Sequence, residues 1–419
     1  MEVGYATVNA AYYPSWAVHG DLPPSKLRVE CLTHVFYAFA RVNANGSLRY
    51  FDAWADEQMP VDGERGCLRA VTKLRQHHPR LRVLLSIGGG GGSDEFPTVA
   101  ASARTRVNFA ISARHFVDKY SLDGVDIDWE HPSSPSEGGN FLHLLRTLRT
   151  QLPEPEYLIT ATLPVDAYCL KNINFPGVDS VVDFVNLMGY DLAGPWTDVA
   201  GHHAQLVPPS HAPPGFEQSV AENKSCSTPS SRHFLGPPLS WAPPPFLCRA
   251  CHFGVDYLIH QGVPRRKIVL GIPVYARNFP GATAPGHAFD RARSGEMDYR
   301  DLPGEWITGA DIDHDLGAAS FVDVVRRRRR SSDDPEAGTC HERKEDYDWD
   351  GADEDDYDSA FRVKGGKGFV SFDVPATVRQ KAGYAKAMGL AGLFYWTGVG
   401  DADGPNSLVA AGWKGLQEL

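Results

Sequence analysis

The sequence predicts an α/β protein of the (β/α)8 class, a TIM barrel. Eight short apolar runs recur from one end of the chain to the other, and stretches with helical spacing lie between them. Several runs are unbroken in Val, Ile, Leu and Phe, as strands of a parallel sheet covered on both faces must be. A doubly wound open sheet would share both features. It is disfavoured because no glycine fingerprint for a dinucleotide stands between a strand and a helix.

In chain order the predicted strands are ATVNAAYY (6–13), THVFYAFA (33–40), RVLLSIGG (82–89), GVDIDWE (124–130), YLITATLP (157–164), FVNLMGY (184–190), KIVLGIPVYA (267–276) and GLFYWTG (392–398). Between the fourth and fifth, Phe141, Leu144, Leu145, Leu148 and Leu152 repeat at the spacing of a helix lying on the sheet. TVRQKAGYAKAMG (377–389) and NSLVAAGWKGLQ (406–417) read as the last two helices. Two regions break the rhythm. Residues 205–250 are rich in Pro, Ser and His without period, which predicts a long irregular insertion. Residues 278–376 predict a small α+β insertion between strands seven and eight, including a charge-dense segment at about 324–366 expected to be disordered. The 419 residues are otherwise read as one catalytic barrel, 1–419.

The net charge of −11 argues against a nucleic-acid partner. No apolar run approaches the roughly 18 residues of a membrane span, so no membrane partner is expected. The N-terminal stretch MEVGYATVNAAYYPSW has no basic segment followed by an apolar one, and the seven cysteines are scattered and odd in number. Both point to a cytoplasmic protein, and a monomer is expected. CRACH (248–252) matches a haem-attachment pattern, but it lacks an export signal and an axial partner. The run from Asp346 resembles a calcium loop, yet Tyr357 stands where a bidentate Glu is needed. Arg326–Arg330 is balanced by the acidic run behind it. No cofactor and no metal is therefore expected.

The fourth run carries the chemistry. In LDGVDIDWEHP (122–132), Val125, Ile127 and Trp129 alternate with Asp126, Asp128 and Glu130. On a strand this places three carboxyls on one face, pointing into the barrel, with Glu130 uppermost at the C-terminal mouth where such barrels keep their active sites. Crowded carboxyls raise one another's pKa, so Glu130 is expected to be a general acid at neutral pH. Asp123 has the opposite parity and reads as structural, holding the start of the strand.

DGVDIDWE resembles the DxxDxDxE signature of glycoside hydrolase family 18, the chitinases and their relatives. SIGG (86–89) is similar to the family's third-strand motif, MGYD (188–191) to its sixth, GIPVYAR (271–277) to its seventh and FYWTG, which contains Trp396, to its eighth. AYYPSW and YAFA fit the first two strands, and the likeness is greatest to the fungal branch without a signal peptide. The resemblance implies retaining hydrolysis of β-1,4-linked N-acetylglucosamine polymers (chitin) or oligomers, assisted by the substrate's own 2-acetamido group. On that reading Glu130 protonates the glycosidic oxygen, Asp128 binds the acetamido N–H, Asp126 shares a proton with Asp128, and Tyr190 donates to the acetamido oxygen. Trp396 would be the floor under the sugar, with Tyr12, Phe39 and Tyr275 as wall candidates. Met188, Asp191 and Arg277 would complete the substrate contacts. Ser86, beside Gly88 and Gly89, would stand behind the aspartates. Within the family an endo-β-N-acetylglucosaminidase shares the tetrad, whereas chitin-binding lectins typically lack the acid. One departure is GGGGGSDEF (88–96), which has glycines where many members place an aromatic platform.

Overall fold

A computed structural model describes residues 7–209, 250–323 and 366–418. Eight parallel strands form a closed ring: β1 (Val8–Pro14), β2 (His34–Val42), β3 (Arg82–Gly88), β4 (Gly124–Asp128), β5 (Leu158–Pro164), β6 (Phe184–Met188), β7 (Ile268–Pro273) and β8 (Gly392–Trp396). Each pairs with the next, and β1 pairs with both β2 and β8, which closes the barrel. A short antiparallel strand, Leu48–Tyr50, extends β2 outside the ring. All eight predicted runs contain a barrel strand.

The alternation along each strand sorts the side chains into two cores. Odd positions of β4, Val125 and Ile127, face outward into a large apolar layer with Phe141, Leu144, Leu145 and Leu148 of the helix Pro135–Gln151. That helix starts where Ser134 accepts from the Glu137 N–H and Pro135 takes the first turn. A smaller cluster fills the barrel itself: Val8, Ala10 and Tyr12 of β1, Phe36 of β2, Leu84 of β3, Val269 of β7 and Phe394 of β8. On β2 the register shifts between Ala38 and Ala40. This bulge turns Phe39 inward beside Phe36 and Ala38, and sends Ala40 to the outer layer.

The seventh run is not one strand. The chain follows the ring as far as Pro273, opposite Trp396, and then leaves it. Val274 N–H still donates to Trp396 O at 2.7 Å, and the chain turns away from the ring after it. Tyr275–Phe279 joins a five-stranded antiparallel sheet in the order Gly295–Asp298, Tyr275–Phe279, Gly368–Phe372, Ala318–Asp323, Asp311–Asp313. This sheet, with the short helix Gly304–Thr308, stands between β7 and β8. The start of the 205–250 region packs irregularly, with Leu206 N–H donating to Leu316 O. Residues 210–249 and 324–365 lie outside the described residues, and so do the readings made for most of 205–250 and 324–366.

Candidate active site

Asp126 sits wholly buried at the centre of the barrel and gathers donors from four other strands, two of them its neighbours in the ring. It accepts from Tyr12 Oη (2.9 Å), Ser86 Oγ (2.7 Å), Thr160 Oγ1 (2.6 Å), Thr162 Oγ1 (3.0 Å) and Asn186 Nδ2 (3.3 Å). Ladder register explains the convergence, since Ser86 and Thr160 are the cross-strand partners of Asp126 on β3 and β5. Burial raises the Asp126 pKa, and the hydroxyls pull it back.

Asp128, one step nearer the mouth, is also buried, and its Oδ1 has no hydrogen-bond partner among the described residues. Burial, then the negative charges of Glu130 and Asp126, push its pKa well up. The charge of Asp126 acts on Asp128 directly, as the sequence reading of two interacting aspartates requires. Asp126 is ringed by hydroxyl and amide groups, of which Tyr12 Oη and Thr162 Oγ1 also lie 2.7 Å from each other. The negative charge at Asp126 favours the protonated form of Asp128.

Glu130 lies beyond the end of β4, open to solvent on one side and walled by the barrel rim on the other. Its backbone N–H donates to Ser93 Oγ at 2.9 Å. Burial on the rim side and then the charge of Asp191 raise its pKa. The direction agrees with the sequence reading, and a further charge adds to it. Asp128 and Glu130 repel each other along β4, and Asp191 acts on Glu130 from across the mouth.

Across the mouth from Glu130 stand the residues that follow β6. Tyr190 is buried, edge-on to Tyr275 and Phe394 at 6.2 and 6.1 Å. Its hydroxyl has no hydrogen-bond partner among the described residues, and burial with the surrounding carboxylates keeps it protonated. Met188 is half-buried against the same inner cluster. Asp191 adopts a left-handed backbone (φ 58°). Its Oδ1 accepts from Tyr275 Oη at 2.5 Å and Arg277 Nε at 2.6 Å, and His203 Nδ1 lies 3.8 Å away. Against the opposing effect of burial, His203 and Arg277 hold its carboxyl well below the ordinary range. The Arg277 guanidinium also covers the exposed Trp196 ring at 4.7 Å.

Trp396 ends β8, partly buried, with the Phe39 ring stacked behind it at 5.7 Å and Tyr12 edge-on at 5.3 Å. The three wall candidates therefore stand one layer back. Tyr12 is fully buried with its hydroxyl on Asp126, Phe39 supports Trp396, and Tyr275 is spent on Asp191. Gly88 (φ +115°) is required where the chain crosses β4, because a Cβ there would meet Asp128 O at 2.2 Å. A Cβ on Gly89 would strike the Phe39 ring. At the opposite end of the barrel Asp123 accepts from Arg75 and Arg82 and from the Val83 N–H, tying the starts of β3 and β4 together as its parity implied.

Sequence reading missed Thr160, Thr162, Asn186, Ser93, His203 and the exposed ring of Trp16, which lies 6.4 Å from Trp396. For the first three a signal was present. Each is a polar residue at an inward position of an apolar run, on the parity of Asn186, Met188 and Tyr190 in β6 and of Thr160 and Thr162 in β5. Among the described residues no three His, Cys, Asp or Glu side chains are grouped to hold a metal ion. Cys251 is buried with Sγ against Gly189 O, and His252 Nδ1 meets Tyr384 Oη. Cys248, the Asp346 run and Arg326–Arg330 lie outside the described residues.

A family model described as glycosyl hydrolases family 18 matches residues 8–401. Chitinase 1 of Aphanocladium album is 27% identical over 436 residues, spanning 99% of this chain and 86% of that protein. Endochitinase 1 of Metarhizium robertsii is 26% identical over 425 residues, spanning 96% of this chain and 83% of its own length. The crystal structure of Ostrinia furnacalis Group IV chitinase has the same fold, with a TM-score of 0.73 at 22% identity over 99% of this chain and 100% of that one. A barrel whose fourth strand lines up two buried aspartates beneath a glutamate at the mouth, matched by the family over nearly its whole length, belongs to the glycosyl hydrolases of family 18.

Proposed function

We propose that this glycoside hydrolase cleaves β-1,4-linked N-acetylglucosamine chains, chitin or its oligomers, with retention of configuration. One observation carries the reading: a buried Asp128 Oδ1 without a partner among the described residues, flanked by Glu130 at the open mouth and by the unengaged Tyr190 hydroxyl. A buried acceptor left empty costs about 1–3 kcal/mol, and an acetamido N–H would satisfy it. Tyr190 would hold the acetamido carbonyl oxygen in line with the anomeric carbon. Glu130, its pKa raised, gives its proton to the glycosidic oxygen as the C–O bond breaks. The acetamido oxygen forms the new bond to the anomeric carbon, giving an oxazolinium ion. Glu130, now a carboxylate, takes a proton from the water that opens this ring. Asp126, fixed by the groups around it, supplies the negative charge beneath Asp128 that favours its protonated form. The names of the curated relatives support chitin as the polymer. Trp396 and Trp16 on one flank and Trp196 on the other offer faces to the apolar sides of successive sugars.

The test is hydrolysis of a fluorogenic chitotriose by the wild type and by Glu130→Gln. Turnover should fall by at least about 10²–10⁴-fold, the usual contribution of a general acid, with the melting temperature and oligomer binding kept. A folded wild type that binds without cutting would make the protein a chitin-binding lectin. Preference for a high-mannose glycopeptide over chitin oligomers would make it an endo-β-N-acetylglucosaminidase.

A further inference from the structure

We infer that Ser93 is a positioning residue for Glu130, and that it does for this chain what a rigid loop would otherwise do. The inference rests on Glu130 being the acid. Glu130 lies beyond the last residue of β4, so the strand ladder does not hold its backbone. What holds it is one side chain: the Glu130 N–H donates to Ser93 Oγ at 2.9 Å. The same hydroxyl donates back to Gly89 O (3.1 Å) or Asp128 O (3.3 Å), so Ser93 is buried with both its functions in use.

The segment that carries Ser93 gives the contact its importance. Gly88–Gly92 is an unbroken glycine run, the most permissive backbone a chain can have. It is pinned at its start by Gly89 N–H to Asp128 O (2.9 Å) and flanked by Arg41, whose Nη1 donates to Gly88 O at 3.3 Å. Its middle passes the acid closely, since a Cβ on Gly90 would lie 3.4 Å from Glu130 Oε2. At the far end Phe96 stacks on Trp129 at 5.4 Å, and the hydrogen-bonded tie back to the catalytic strand is Ser93. The hydroxyl therefore fixes two things together, the backbone from which Glu130 projects and the glycine segment that walls its carboxyl. The Gly92 N–H to Gly89 O turn (2.8 Å) keeps the loop closed without it, but the Glu130 amide loses its hydrogen-bond partner. A shift near 1 Å in a catalytic group is enough to cost about 10²-fold in rate.

A misplaced acid has a signature that general loosening lacks. Sugar leaving groups need a proton to depart, whereas a 2,4-dinitrophenolate leaves without one. The comparison is kcat/KM, which reports the steps through bond cleavage, for chitotetraose and for 2,4-dinitrophenyl β-chitobioside. Ser93→Ala should lower the value for chitotetraose about 10- to 100-fold and leave the dinitrophenyl substrate within about threefold. Ser93→Cys, nearly the same size but a weaker acceptor, is the second variant should alanine fail to fold. It should show the same selectivity at smaller amplitude. Equal losses on both substrates, or none on either, beside a selective Glu130→Gln would overturn the role of Ser93. An unselective Glu130→Gln would overturn the reading of the acid, and the inference with it.

Discussion

Asp191 sets the pH range in which Glu130 can act. Its carboxyl is held ionised by Arg277, Tyr275 and the nearby His203, and its charge lies close enough to raise the Glu130 pKa. The active acid is the protonated form, so activity is lost as pH rises through that raised pKa. Removing the charge in Asp191→Asn lowers the Glu130 pKa, and an Arg277 freed of its partner lowers it further. The basic limb of the kcat/KM profile should therefore move to lower pH, and a limb that stays in place would refute the coupling. At this scale the sequence was informative about which residues and silent about which contacts. The two-residue alternation of β4 placed Asp126 and Asp128 inside the barrel, as found. The five donors on Asp126 were out of reach, because they meet through strand register, which no local pattern encodes. For the same reason Asp191, remote in sequence, was missed as a charge acting on Glu130.

The barrel strands and their helices were legible because each is a contiguous pattern, apolar runs for the ring and a 3.6-residue stripe for Pro135–Gln151. Departures came where one residue redirects the chain. The bulge at Phe39 reverses the parity of β2, and the seventh run divides between two sheets at Val274. The joints between elements also hide titratable groups. Tyr37 of β2 donates to Asp56 Oδ1 at 2.5 Å on the short helix Ala53–Glu57, and the Asp52 N–H meets its Oδ2. Burial pushes the Asp56 pKa up to about 6 from an ordinary 3.8. The native state therefore binds this proton more tightly than the unfolded chain. Asp56 contributes stability below about pH 4, and that contribution is lost as pH rises to about 6. The full swing is on the order of 3 kcal/mol at most, from about 1.4 kcal/mol per pKa unit. Urea unfolding of the wild type and Asp56→Asn should give a stability difference that shifts in favour of the asparagine across that window. A difference independent of pH between 4 and 6 would show that Asp56 titrates normally.

At the scale of the whole molecule, the site depends on two bodies being joined. The barrel supplies the carboxylates and Tyr190, while the insertion supplies Tyr275 and Arg277 from the first strand of its own sheet. The sequence announced that something intervened between β7 and β8, but not that its opening strand would complete the mouth. The return from the insertion to the barrel passes Asp373, next after the strand Gly368–Phe372, and enters the helix Pro375–Met388, which leads into β8. There Lys381 Nζ meets Asp373 Oδ2 at 2.6 Å with both side chains at most 1% exposed, and Thr377 Oγ1 donates to Asp373 Oδ1 at 2.7 Å. Two charges buried this fully are stable only as a pair, so deleting one leaves the other without solvent or partner. Lys381→Met keeps the apolar stem and removes the charge, and should lower stability by about 3–5 kcal/mol in denaturant unfolding. The loss should be felt at the mouth as well, because the seam that loosens anchors the sheet carrying Arg277. KM for chito-oligosaccharides should rise in Lys381→Met at temperatures where the protein remains folded. Replacing both residues, with Asp373→Leu added, removes the uncompensated carboxylate and should recover much of the stability. A single variant less than about 1 kcal/mol below the wild type would mean that the pair is dispensable, and that the insertion is held to the barrel by its other contacts.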